Sequence, residues 1–409
     1  MKTIAQIAAE LQGYDPQALA AGDVNKFLAK LVEPVTETET VGIFDALGRV
    51  LAADVVSPLN VPPHDNSAMD GYAFDGALLA GKPLLLQLAG TAFAGTAWQG
   101  TAGPGQCVKV MTGAIMPAGM DTVVPLEMAL PSGDQISIPA GTVQRGDNRR
   151  LCGEDIAQGQ TALRQGDRIT PAALGLAASL GISTLPVVRK LRVAYFSTGD
   201  EILSVGEAPR EGAVYDSNRY TVFGLLTRLG VEVIDLGVVR DDPALLEATF
   251  VRAAAEADAI ITSGGVSVGE ADYTKAMMKK LAGDVGGVAF WRIAMRPGRP
   301  MAVGRIAKPA IAGFSAENQA KSSSGRHAIN PDSYEKRSAV LFGLPGNPVA
   351  VMVTFLAFVR PALLQMMGSK ATTVPLLRAR SLEPLRKKHG RTEYQRGTVS
   401  TAADGTLQV

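Results

Sequence analysis

The sequence predicts a multidomain protein of the α/β plus β class, and three observations carry that reading. From residue 190 onward, strand-like apolar runs alternate with helix-like segments, the pattern of a parallel sheet covered by helices on both faces. Before it, residues 58–148 are rich in Gly and Pro, and turn signals recur about every ten residues, which predicts a small inserted β domain. On either side of that insert, residues 1–57 and 149–187 read mostly as helical and are expected to form one linker domain.

The elements follow in order. Residues 1–31 carry Ala/Leu periodicity with a break at GYDP (13–16), predicting helices on either side. The stretch TETETVGIFDALGRVLAADVVSP (36–58) predicts a strand, a helix and a second strand. In the β domain, 83–88 and 106–110 are the clearest strands. TPAALGLAASLG (170–181) opens with a Thr N-cap and Pro at the first helical position. Beyond it, strands are expected at 191–196, 231–236, 259–261 and 339–342, and helices at 219–229, 243–257, 273–281 and 348–367. These form an α/β domain over 188–370.

Composition narrows the function. With 46% hydrophobic and 19% charged residues, the chain can bury an ordinary globular core. Forty Lys+Arg against 39 Asp+Glu, with no long run of one sign, lack the electrostatic footprint of a nucleic-acid binder. Cys107 and Cys152 are too few for a disulfide framework or a Cys-type zinc site, so a reducing compartment is expected. Gln6 and Glu10 interrupt any signal-peptide core, and the apolar run 349–359 is about half a membrane span. A cytoplasmic protein with no membrane partner is expected. The histidines, His64, His327 and His389, sit in no recognised nucleophilic or zinc signature.

The polar motifs fall where the α/β strands end, which is where such sheets bind ligands. STGDE (197–201) follows the first strand; Thr198 with Glu201 reads as a capping box. GVVRDD follows the second, with Asp241 and with Asp242 as a helix cap. SGGVSVGEADYTK (263–275) follows the third. It spaces Gly264 and Gly269 like a phosphate loop but places Glu270 and Ala271 where Lys and Ser/Thr belong. GLPGNPVA follows the fourth, with Asn347 as N-cap and Pro348 at the first helical position. Helix N-termini and glycine amides attract anions, while carboxylates attract cations; together they fit a phosphorylated ligand carrying a divalent metal. WRIAMRPGRP adds Arg292, Arg296 and Arg299, whose planar forks suit oxyanions. In the β domain, Asp65 and Asp70-Gly71 read as turn residues, Met111-Thr112-Gly113 as a backbone nest, and GDNRRLCGEDI (146–156) as a glycine-flanked loop.

DNSAMDGYA, MTGAIMPAGMDTVV, NRRLCGED, STGDE, YDSNR, RDD, SGGVSVGEADYTK, FWRIAMRPGRP and GLPGNPV occur in that order over residues 5 to about 368. The set resembles the molybdopterin molybdenumtransferase family, which comprises bacterial MoeA and the E domain of gephyrin. The resemblance implies insertion of molybdate into adenylylated molybdopterin, with release of AMP and with Mg²⁺. It also implies a homodimer whose cleft lies between the α/β domain of one subunit and the β domain of the other. Possible further partners are a molybdopterin adenylyltransferase and molybdoenzyme apoproteins.

Carried over by motif, the catalytic positions are Asp65, Asp155, Glu201, Asp241, Asp272 and Arg296, with Glu201, Asp241 and Asp272 as metal ligands. Substrate contacts fall on Thr112, Arg150, Ser197, Thr198, Gly199, Ser263, Gly264, Gly265, Ser267, Arg292, Pro345, Gly346, Asn347 and Pro348, with Arg391 or Arg396 available to molybdate. The Arg292/Arg296 pair replaces the lysines frequent in bacterial relatives. Two features depart from the family pattern: residues 306–338 form an insertion whose composition reads as a mobile loop, and 371–409 match only the first part of a C-terminal β domain. An adenylyltransferase would lack the β domain and DNSAMDGYA, and a non-catalytic scaffold would not need acids at the strand ends.

Overall fold

The computed structural model describes residues 2–265, 273–283, 287–308, 338–371, 373–387 and 389–409. Its largest sheet has six strands in the order Glu232–Val239, Arg192–Thr198, Ala259–Ser263, Ser338–Leu344, Pro300–Ala307 and Val288–Arg292. The first four run parallel, at the expected positions. Pro300–Ala307 runs antiparallel to both its neighbours, and Val288–Arg292 points the same way as the first four, so the sheet is mixed rather than wholly parallel. Connection length explains the reversal between Val288–Arg292 and Pro300–Ala307. A parallel pair needs a crossover of about a dozen residues, and only 293–299 separate Val288–Arg292 from Pro300–Ala307.

Successive side chains of Arg192–Thr198 face opposite ways, as a pleated strand requires. Val193 and Tyr195 enter one core with helix α4 (Ser217–Leu229) and the helical stretch α7 (Pro348–Thr354), Phe355–Val359 and α8 (Arg360–Met366). Ala194 and Phe196 enter the other with α5 (Pro243–Glu256) and α6 (Tyr273–Ala282). Both faces are covered, as predicted. The stretch Pro348–Met366 is long and apolar enough to cross a membrane by length and composition. Its Val351, Phe355, Phe358 and Leu363 are buried in the first core, which accounts for that composition.

The N-terminal helices α1 (Ile4–Glu10) and α2 (Ala21–Leu31) pack into this same core rather than standing apart. Phe27 meets Trp291 edge-on at 4.9 Å, and Trp291 Nε1 donates to the Tyr14 hydroxyl at 2.8 Å. The buried Arg305 guanidinium donates to the carbonyls of Lys2 and Leu31.

Two antiparallel pairs tie the flanks of the insert together: Thr38–Gly42 with Thr184–Val188, and Val55–Val56 with Thr161–Leu163. Between the strands near 38 and 55 there is a single 3₁₀ turn, Ile43–Ala46, in place of the predicted helix. Gly48, with φ of +76°, turns the chain out of the helical path just after this segment. Helix α3 (Pro171–Ser179) starts as expected, its Thr170 hydroxyl accepting from the Ala173 N–H at 3.2 Å. The insert is a second six-stranded sheet, ordered Thr122–Pro125, Gly71–Phe74, Gln106–Val110, Leu84–Ala92, Gln135–Ile138 and Leu130–Ser132. It has its own apolar clusters, centred on Phe74 and Val124 and on Val108 and Val123. In the C-terminal segment, Thr392–Glu393 pairs with Met295–Arg296 and Ser400–Thr401 with Leu407–Gln408. Most of the insertion at 306–338, namely 309–337, lies outside the described residues.

Candidate active site

The C-terminal ends of the parallel strands gather the expected polar groups, with one change of local structure. No helix follows Thr198, so the Thr198/Glu201 capping box does not form. The chain instead turns at Gly199, whose φ of +145° suits glycine, and continues into Ile202–Leu203, paired in parallel with Val214–Tyr215. A Cβ at Gly199 would lie 2.6 Å from the Glu201 carboxylate. Freed from capping, the Thr198 hydroxyl donates to Asp241 Oδ1 at 2.7 Å, and the Asp241 N–H donates to Asp200 Oδ1 at 3.3 Å. Thr198, Asp200 and Asp241 thus form one acidic edge, with Glu201 next in the chain.

The neighbouring turn is pressed against this edge. Gly264 has φ +90°, and a Cβ there would meet the Thr198 carbonyl oxygen at 2.3 Å, so only glycine fits. Gly265 is similarly restricted, with Thr274 at 2.5 Å. The Ser197 and Ser263 hydroxyls do not face outward. They form a buried triangle with Tyr195, at 2.8 Å and 2.7 Å from its hydroxyl and 3.2 Å from each other. Burial drives the Tyr195 hydroxyl well above the usual phenol range, so the triangle stays neutral. Ser267 and Asp272 lie outside the described residues.

At the fourth strand, Asn347 caps α7 by accepting from the Val349 and Ala350 N–H groups at 3.0 Å and 3.3 Å. Asn218 Nδ2 donates to the Gly346 carbonyl at 2.8 Å and ties the 345–348 loop to α4. Asp242 caps α5, as its position before Pro243 indicates. Arg292 ends the edge strand, and its backbone bonds to Pro16 and Leu19. Arg296 is exposed, and its carbonyl accepts from the Tyr394 N–H at 2.9 Å. Arg391 is bound at 2.7 Å to Glu393, whose carboxyl is held low chiefly by that guanidinium. Arg396 is exposed.

The β-domain positions form a second group. Asp65 Oδ1 accepts from the Cys152 N–H at 2.8 Å, and Arg149 stands 3.7 Å from its other oxygen. Arg150 binds Glu154 at 2.6 Å and Asp155 at 2.5 Å. The expected backbone nest at 111–113 is not an anion site. The N–H groups of Met111, Thr112, Gly113 and Ala114 donate to Ala92 O, Asp70 Oδ1, Ser67 O and Met111 O. Among the described residues, no hydrogen bond or ion pair joins this group to the acidic edge. Nor does any cluster of three His, Cys, Asp or Glu there suffice to hold a metal.

Asp200, Asn218 and Tyr195 are polar residues that sequence reasoning missed, and Asp70 does more than the turn role expected of it, since it binds Thr112. Asp200 and Asn218 lie inside the quoted motifs STGDE and YDSNR. Tyr195, within an apolar strand, carried no signal.

A mixed α/β sheet with glycine turns, acids and a capped helix at its strand ends, flanked by an inserted β domain, defines a multidomain α/β protein with a candidate ligand site at its strand ends. Residues 194–365 match the family described as "Probable molybdopterin binding domain", and residues 19–181 match "MoeA N-terminal region (domain I and II)". The molybdopterin molybdenumtransferase of Haemophilus influenzae is 39% identical, covering 94% of this chain and 87% of the relative. That of Bacillus subtilis is 33% identical over 80% and 70%. Among solved structures, a molybdopterin biosynthesis moeA protein from Pyrococcus horikoshii OT3 superposes with a TM-score of 0.72 at 25% identity, covering 96% of this chain and 89% of that one. The chain belongs to the molybdopterin molybdenumtransferase family.

Proposed function

We propose that this chain inserts molybdate into adenylylated molybdopterin, releasing AMP and forming molybdenum cofactor. The observation that carries the proposal is the acidic edge Thr198–Asp200–Asp241 standing beside the Gly264–Gly265 turn, within the stretch matched to the molybdopterin-binding family. An adenylyltransferase would need only the α/β unit, whereas this chain also carries the β domain with its own cores.

The donor chemistry fits Mg²⁺, which takes carboxylate oxygens and keeps several waters. Thr198 occupies Asp241 Oδ1 only, leaving the other carboxylate oxygen to a ligand. We assign the ion to Glu201, Asp241 and Asp272; when bound, it would offset phosphate charge. Since Ser197 and Ser263 are buried, Gly199, Gly264, Gly265 and the 345–348 loop would meet the substrate through backbone groups. Molybdate is a dianion that these carboxylates repel, so a cation must receive it. Arg391 is hydrogen-bonded to Glu393, whereas Arg296 reaches that carboxylate only through its longer-range charge and forms no ion pair among the described residues. Arg296 is therefore the assigned receiver, supported by Arg292. At 4 Å, one such pair is worth about 4 kcal/mol at an effective dielectric near 20, enough to decide occupancy.

Asp65, Thr112, Arg150 and Asp155 would complete the cleft from the β domain of a second subunit in a homodimer. The protein would work in the cytoplasm, taking its pterin from a molybdopterin adenylyltransferase and passing cofactor to molybdoenzyme apoproteins.

The test incubates the purified protein with adenylylated molybdopterin, Mg²⁺ and molybdate, and measures AMP and active cofactor. Arg296→Ala should raise the half-saturating molybdate concentration about tenfold or more and leave pterin binding nearly unchanged. Equal loss of both would make Arg296 a pterin or phosphate contact. No AMP from the unaltered protein would remove the proposal.

A further inference from the structure

We infer that Asp70 is a positioning residue that fixes Thr112 as a hydrogen-bond acceptor toward an N–H or O–H donor of the pterin substrate. The inference rests on the proposed function and specifies what Thr112 does in it. One carboxylate oxygen, Asp70 Oδ1, accepts both the backbone N–H and the side-chain hydroxyl of Thr112, each at 2.7 Å. Asp70 is itself anchored by its carbonyl, which accepts from the Leu126 N–H at 3.1 Å. The Thr112 N–H, and then its hydroxyl, hold the Asp70 carboxyl below the usual range, so it is ionised at neutral pH and can only accept.

The consequence for Thr112 is strict. A hydroxyl has one proton and two lone pairs, and here the proton is committed to Asp70. What Thr112 offers to solvent is therefore lone pairs. The surrounding N–H groups are also consumed by acceptors of the β domain, so nothing there recommends it to an oxyanion. Both side chains are exposed, and the pair sits at the end of Gln106–Val110 where the loop meets Gly71–Phe74. The Thr112 oxygen, held by Asp70, is thus an acceptor suited to an amine, amide or hydroxyl hydrogen rather than to molybdate or phosphate.

Conservative and severe substitutions separate orientation from charge. Asn keeps an Oδ1 that can accept both Thr112 hydrogens, whereas Ala removes it. Asp70→Asn should keep KM for the adenylylated pterin within about threefold, and Asp70→Ala should raise it about tenfold with little change in kcat. In a Thr112→Val background, Asp70→Ala should change KM by less than about twofold, because the group it acts through is gone. Molybdate half-saturation should stay fixed throughout. A tenfold effect of Asp70→Ala that persists beside Thr112→Val would overturn the inference, as would Asp70→Asn failing as badly as Asp70→Ala. Should Asp70→Ala not fold, Thr112→Val alone decides: an unchanged KM for the pterin removes the hydroxyl contact. Turnover by the unaltered protein is measured first, so failure of the transferase reading is distinguishable from failure of this one.

Discussion

Gly264 carries the tightest steric demand in the site. Its Cβ would sit 2.3 Å from a carbonyl oxygen, at a φ that L-residues rarely adopt. Gly264→Ala should therefore lower stability by about 2–3 kcal/mol, read as a fall in Tm, and depress AMP release further by parting the two strand ends. Asp258 makes a different kind of demand. Burial pushes its carboxyl upward, but the Arg189 guanidinium, at 2.7 Å and 2.9 Å, and the Arg192 N–H outweigh that and leave it below the ordinary range. A depressed carboxyl stabilises the fold above its unfolded pKa, near 4, and loses that contribution as pH falls through the folded value. Asp258→Asn should cost about 3 kcal/mol at neutral pH and flatten the acid limb of Tm against pH. An acid limb as steep as in the unaltered protein would contradict this.

Among the elements, helix starts were the most legible in the sequence, because their chemistry is local. Thr170, Asp242 and Asn347 each cap the helix expected of them. The STGDE motif was misread because capping boxes and strand-end turns use the same residue types; only the backbone at Gly199 decides between them. The antiparallel pairing of Pro300–Ala307 with Ser338–Leu344 and that of Met295–Arg296 with Thr392–Glu393 were not legible, since both depend on partners distant in sequence. The partners of the N–H groups at 111–113 were illegible for the same reason: these donors are spent on residues elsewhere in the β domain. Asn347 allows stability and function to be separated within one element. Asn347→Asp keeps the cap acceptor and favours the helix dipole, so Tm should hold within about 1–2 °C. The added negative charge should raise the half-saturating molybdate concentration severalfold. A falling Tm with unchanged molybdate dependence would show that the loop lies away from the oxyanion.

For the whole molecule, the N-terminal helices belong energetically to the α/β core. Val24, Phe27, Leu28 and Leu31 are buried against Trp291 and Phe355, and the Arg305 guanidinium donates to two carbonyls of that segment. Removing residues 1–31 should leave apolar surface and a buried charge exposed, and give insoluble protein; a soluble, cooperatively melting product would refute that packing account. The proposed homodimer would set the α/β site group of one chain against the β-domain group of another. Mixing inactive Asp65→Ala and Asp272→Ala subunits should then restore part of the activity. No recovery despite demonstrated exchange would point to sites built within one chain.

The insert enters and leaves through strands that lie side by side. Ser67 pairs with Arg149, Val61 bridges to Ile156, and Val56 pairs with Thr161. Such a doorway makes the β domain a cassette: the carrier's two halves are already stitched together before the insert begins. Joining residue 67 to residue 149 with a tight turn would close the ribbon as a hairpin without moving either end. A shortened chain built this way should still fold around its larger sheet, and the vacated doorway could accept a foreign domain whose termini lie about 5 Å apart, the spacing of paired strands.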